Sequence, residues 1–161
     1  MLPGMDKKNS YDLFWLGEDM QTMGNLFEYS HLYAKNLCGF EGEFDRLKFA
    51  ESLMTSGIRR EMDWGHPKLL SESIEEVFLN YYEVDLGSSL EQFRATEPQP
   101  DLYENQMYWA GEAYAYIHYQ ADMLSKDVFA RMPLKVMLHY YITGHQLEFC
   151  DFYDRVKEAF K

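Results

Sequence analysis

Leu13, Leu16, Met20, Met23, Phe27, Ser30, Ala34 and Leu37 step along the chain by alternating threes and fours, the seam of a helix that packs along one side. Ser10 stands where an N-cap belongs, Asp12 falls in the first turn, and Gly39 offers a stop, so the pattern predicts one long helix between them. Gly17, Gly24, His31 and Cys38 recur every seven residues beside that seam. An interior helical glycine costs about 1 kcal/mol relative to alanine. That cost is recovered where another helix crosses closely, so a second buried flank is expected.

A second helix opens at Asp45 and carries Leu47, Ala50, Leu53 and Met54 toward Gly57, and a shorter one continues from Ile58 to Trp64. Ser73 and Glu76 have capping-box spacing ahead of Val77, Phe78, Tyr81 and Tyr82. The first turn of that helix carries Glu72, Glu75 and Glu76, where negative charge suits the helix dipole. Gly87, two serines, Pro98 and Pro100 mark 84–100 as a linker. In the second half Met107, Ala110, Tyr114, Ile117, Ala121 and Leu124 repeat the three-and-four step, with Tyr108, Trp109, Tyr116 and Tyr119 on the other faces. An all-round aromatic helix is a central one. Ser125 reads as the cap of a short helix, Pro133 as the first turn of another, and Thr143 with Gln146 as a capping box before a last helix through Leu147, Cys150, Tyr153 and Val156. Period-two alternation is absent. The expectation is an all-α fold, a compact bundle of about six to seven helices. It forms a single domain over 1–161, or two packed subdomains, 10–83 and 101–161, joined by 84–100.

Composition narrows the functions. Of 161 residues 47% are hydrophobic and 17% aromatic, enough for a real core, while 27 acidic residues against 15 basic ones give a net charge of -12. Phosphate contacts need Lys and Arg, so this balance argues against direct nucleic-acid binding and fits a basic protein partner or simple solubility. The excess is uneven: residues 1–100 hold 18 acids and nine bases, residues 101–161 nine acids and six bases. Ser125 to Gly144 has a helix-turn-helix-like order, but its would-be recognition helix, Leu134–Tyr141, offers only Lys135 and His139 to a base edge. No apolar run approaches a membrane span and no signal-peptide order opens the chain, which predicts a cytoplasmic protein with no membrane partner. Cys38 and Cys150 lack CxxC spacing and read as reduced core thiols.

Candidate chemistry is sparse. Glu28 and His31 have the E-x-x-H spacing of di-iron bundles, but the second copy is missing: His145 and Glu148 are reversed, and His118 pairs with Asp122 at i+4. Glu28 and His31 are therefore fallback metal candidates only, and no cofactor is expected. Phosphate-loop, nucleophile-elbow, dinucleotide and zincin motifs are absent. Adjacent Glu75 and Glu76 diverge by about 100° on a helix and form no acid/base couple. More distinctive is Arg59, Arg60, His66 and Lys68 within ten residues of an acidic half, beside Trp64. Such cations either neutralise carboxylates on neighbouring helices or anchor a partner's carboxylate or phosphate next to an aromatic hot spot. The 13 tyrosines, 11 phenylalanines and three tryptophans likewise fit either a dense core or an interface. The candidate partner-binding set is Arg59, Arg60, Trp64, His66, Glu72, Glu75 and Glu76.

Several strings carry a resemblance: Arg59-Arg60-Glu61-Met62 through Gly65-His66-Pro67 to Leu70-Ser71, Glu83-Val84-Asp85-Leu86, Tyr108-Trp109, Tyr114-Ala115-Tyr116-Ile117-His118, and Tyr141 through Gly144-His145. Over roughly residues 45–160 the chain resembles small helical antitoxin-like proteins of clostridial, gut-type bacteria, partners of small toxins, although these strings are not a mechanistic motif. The resemblance implies binding and neutralisation and supplies no active site. Departing from autoregulating antitoxins, the chain shows no toxin-wrapping tail and no DNA-binding surface. The expected function is a cytosolic acidic protein-binding module, an antitoxin-like inhibitor that neutralises a partner with a basic surface. A phage or mobile-element inhibitor of a nucleic-acid enzyme, of anti-CRISPR or DNA-mimic type, differs mainly in the partner. A metal-dependent helical-bundle enzyme around Glu28, His31, His118, Asp122 and His145 is the alternative of another class. The sequence leaves the oligomeric state open.

Overall fold

In the computed structural model, which describes residues 10–64 and 72–161, the longest helix, α1 (Ser10–Cys38), crosses a second long helix, α5 (Gln106–Ala121), and the crossing is built on glycine. A Cβ on Gly111 would run into the backbone carbonyl of Met23, and one on Gly24 would lie 2.7 Å from the Tyr108 ring. The two backbones therefore meet as closely as a missing side chain permits. The expected second flank of α1 is real at Gly24, whereas Gly17 faces open space.

Met23, Phe27, Ser30 and Ala34 from the middle of the α1 seam are buried, but Leu13 and Leu37 at its ends are exposed. The reason is length: 29 residues against 16 give about 43 Å of α1 over about 24 Å of α5.

The remaining helices among the described residues are α2 (Arg46–Met54), α3 (Gly57–Asp63), α4 (Ile74–Asn80), α6 (Ser125–Arg131), α7 (Leu134–His139), α8 (Tyr141–Gly144) and α9 (Phe149–Val156). A π-helical turn (Tyr81–Asp85) continues α4, and short 3-10 turns lie at Glu91–Phe93 and Lys157–Phe160. The fold is all-α, as the periodicity predicts. Asp45 caps α2 by accepting from the Lys48 N–H at 2.9 Å, and Ser73 caps α4 while its hydroxyl also meets the Glu76 carboxylate at 3.0 Å.

Three local expectations are corrected. Residues 84–100 are not a free linker: Leu90 and Phe93 enter the core, and Arg94 faces Phe44 in an isolated β-bridge. Backbone bonds from Asp45 N–H to Phe93 (2.7 Å) and from Ala95 N–H to Glu43 (2.9 Å) fasten that segment beside the start of α2. Thr143 and Gln146 form no capping box, because α8 closes at Gly144 and α9 starts only after Glu148. Cys150 is exposed and Cys38 half-buried, both free, so neither is a core thiol.

The aromatic residues mostly build one core. Phe49 packs on Phe44, Phe78, Tyr81 and Phe93, and Trp109 on Tyr141, Phe149 and Phe152, with centroid distances of 5.0–6.3 Å. Burying each large apolar side chain contributes about 1.5–3 kcal/mol. Dense packing thus accounts for much of the aromatic content.

Candidate functional site

Of the two roles open to Arg59, neutralising carboxylates on neighbouring helices or anchoring a partner, it takes the first: it is 1% exposed. It lies in the first turn of α3, opposite α1 and the start of α6. Its Nη1 and Nη2 donate to the two carboxylate oxygens of Asp19 at 2.5 and 2.8 Å, and its Nε donates to Ser125 Oγ at 2.9 Å. Asp63, one turn further along α3, lies 3.1 Å from the same Nε and accepts from the Ser125 N–H (2.7 Å) and Oγ–H (2.5 Å). His118 of α5 completes the group, its Nδ1 3.5 Å from Asp63 and 2.7 Å from the Met123 carbonyl oxygen.

Burial alone would depress the Arg59 guanidinium, yet the carboxylates of Asp19 and Asp63 outweigh it and hold the group above an ordinary arginine. Both carboxylates are themselves buried, so among the described residues the three charges face one another, Ser125 and His118. Ser125 is correspondingly not a free helix cap; Leu124 occupies that position. Removing Arg59 from the partner-binding set follows directly: a side chain with its fork filled by Asp19 presents nothing to a partner.

Of the other predicted residues, Arg60 is exposed, Trp64 is 38% exposed, and His66 lies outside the described residues. Glu75 and Glu76 are exposed on α4 and Glu72, just before it, is half-buried. The π-helical turn that follows adds Glu83 and Asp85, both exposed. Asp85 is tied to the fold by accepting from the Ile58 N–H at 3.0 Å, which caps α3 from outside. Among the described residues no ion pair includes Glu72, Glu75, Glu76, Glu83 or Asp85.

Their charge is felt by the neighbours. Burial first, and then the Glu75 carboxylate, push the Tyr33 phenol up to about 12; burial and then Glu83 raise the Cys38 thiol; burial and then Asp85 raise Tyr81 to about 12, against the hydrogen bond from Ser52. Each shift has the sign of an uncompensated negative potential added to desolvation. The carboxylates of α4 and the π-helical turn thus put negative charge beside the C-terminal half of α1.

The proposed metal set is not brought together. Glu28 is 3.6 Å from Arg46, and burial first, then that guanidinium, depress the His31 imidazole, a setting that disfavours a cation. His118 sits with Asp63, while the His145 ring stacks on Tyr141 at 4.3 Å on the surface. Among the described residues no group of three or more His, Cys, Asp or Glu is placed to hold a metal ion.

The sequence allows Arg59 to neutralise carboxylates of neighbouring helices but does not name its partners. One signal was present: Arg59 and Asp63 are four apart on a helix, the spacing of an intrahelical ion pair. Asp19, 40 positions away, carried none. No helix among the described residues is long and apolar enough to cross a membrane. No family model matches the chain, and no curated protein or solved structure is significantly similar to it.

Proposed function

We propose that this chain is a protein-binding module that neutralises a partner with a basic surface, in the manner of an acidic, antitoxin-like inhibitor. The observation that supports it is the acidic face: Glu75 and Glu76 on α4, Glu72 just before it and Glu83 on its π-helical extension have no ion pair among the described residues. Carboxylates left unpaired on a rigid helix raise the association rate and the selectivity for a cationic partner more than they stabilise the fold. Arg60 and the half-exposed Trp64 on α3 remain available as contacts. Trp64 supplies the type of amphipathic anchor that dominates interface energetics.

In this reading the net charge of -12 acts through one face and not as a uniform solubilising shell. A nucleic-acid enzyme is one class of basic partner that would use the same carboxylates in place of phosphates. The test is a complex formed with a partner captured from the source cell and then purified. Its Kd should rise steeply with salt, and Glu75→Lys with Glu83→Lys should weaken it by more than about tenfold, equivalent to about 1.4 kcal/mol. A partner that binds equally well at low and high salt, or equally well to the charge-reversed protein, would remove the acidic face from the function.

A further inference from the structure

The end of the molecule where the segment before α5 meets α8 holds a groove of about 450 Å³ lined by Tyr103, Glu104, Tyr141, Ile142, His145 and Gln146. We infer that this groove is a second docking site, separate from the α4 face, and that its occupant is an arginine side chain of a protein partner.

Its rings are exposed and already in place. Tyr103 is 63% and Ile142 57% exposed. Tyr141 stacks near-parallel with both Tyr103 (6.0 Å, 25°) and His145 (4.3 Å, 17°), and its edge meets the buried Trp109 at 5.8 Å. Both walls are pinned by hydrogen bonds. The Tyr141 hydroxyl donates to the Glu104 carbonyl at 3.0 Å. Gln106, buried beneath, accepts from the Tyr103 N–H at 3.0 Å, takes the Tyr103 carbonyl through its own N–H at 3.1 Å, and donates its amide to the Leu138 carbonyl at 3.0 Å. A surface aromatic held this firmly loses little freedom on binding, which is the advantage of pre-organisation.

Charge selects the occupant. Among the described residues that line the groove there is no lysine or arginine. Glu104 is the carboxylate in the lining itself. A planar guanidinium stacks on a tyrosine face while pairing with a carboxylate, and its aliphatic stem covers an apolar wall such as Ile142. A neutral isostere keeps the stem contact but loses the carboxylate pair and the cation–π attraction, and an anion is repelled by Glu104.

The probe is the peptide Ac-Ala-Arg-Ala-NH2, titrated at millimolar concentration into the full-length protein and followed by NMR, with its citrulline counterpart as the isosteric neutral control. The expected result is upfield ring-current shifts of the arginine δ-methylene, protein shifts confined to Tyr103, Glu104, Tyr141 and Ile142, and binding of the citrulline peptide weaker by at least about threefold. Tyr103→Ala should abolish the upfield shift and Tyr103→Phe should retain it. Because Tyr103 is largely exposed, its replacement leaves the fold intact, which the unchanged amide spectrum elsewhere reports. Equal binding of the two peptides, or an unchanged shift in Tyr103→Ala, overturns the inference. So do shifts confined to α4, which would leave the acidic-face reading standing by itself. Concentration-dependent shifts of the groove residues without peptide would identify a second copy of the chain as the occupant and equally overturn it.

Discussion

Replacing Arg59 by methionine removes one positive charge from a site where Asp19 and Asp63 remain buried. The volume is nearly kept, so the cost is electrostatic: breaking a buried pair by deleting one partner destabilises by about 3–5 kcal/mol. Two carboxylates and a serine lose their donor at once, which places this site toward the upper end. Set against a total stability of about 5–15 kcal/mol, the loss is a third or more of what holds the fold. At about 2–4 °C per kcal/mol for a chain of this size the melting temperature should fall by about 6–20 °C.

Urea denaturation followed by far-ultraviolet circular dichroism measures it, with Arg60→Ala as the control on the same helix. Arg60 is exposed, and its removal should change stability by less than about 0.5 kcal/mol. Arg59→Lys should rescue little, because an ammonium is a point donor and cannot reach both oxygens of Asp19 and the Ser125 hydroxyl together. Burial also makes the effect insensitive to salt. Arg59→Met within about 1 kcal/mol of the parent protein would refute the structural role of this network.

Three further outcomes follow from the packing and the electrostatics. Gly111→Ala drives a methyl into the Met23 carbonyl backbone, so the α1–α5 crossing must open and stability should fall by at least about 1–3 kcal/mol, measured by the same denaturation. Glu112, half-buried on α5, has its carboxyl raised by desolvation, so the folded state holds its proton more tightly than the unfolded one and stability falls as pH rises above about 4.5. Glu112→Gln should accordingly raise the melting temperature at pH 7 and leave it unchanged once the pH is well below that value; a variant melting lower at pH 7 would contradict the sign. Tyr33 and Tyr81, pushed up to about 12, contribute stability that is lost as pH climbs from 10 toward 12. In an alkaline titration their phenolate absorbance should therefore appear only with loss of helical circular dichroism.

Helix positions were legible because local rules sufficed. Asp45 and Ser73 announce their caps, the three-and-four step marks α1 and α5, and Gly39 with φ of +68° stops α1 as a glycine there should. Legibility failed where a long-range partner overrode the local signal. Ser125 has the look of an N-cap but is spent on Asp63, 62 positions earlier. Arg59 and Arg60 are indistinguishable in sequence; the turn of α3 puts one against Asp19 and the other in water. The stretch 84–100 has the composition of a linker, yet Phe93 finds a place against Phe44 and Phe49 and draws it into the core. Helical spacing separates Glu75 from Glu76, both exposed in the fold, but it carried no information on whether cations would sit beside them.

The lack of an ion pair on these carboxylates among the described residues is what makes the α4 face a candidate for recognition, and one comparison tests it most directly. The immobilised protein and its Glu75→Lys, Glu83→Lys variant, each verified as folded by circular dichroism, are used to capture proteins from the source cell at low salt and are then washed at high salt. Recovery of one basic partner by the parent protein, its release by salt and its absence from the variant are the predicted result. Capture of the same partner by both proteins, unaffected by salt, would contradict the claim that this face performs the binding.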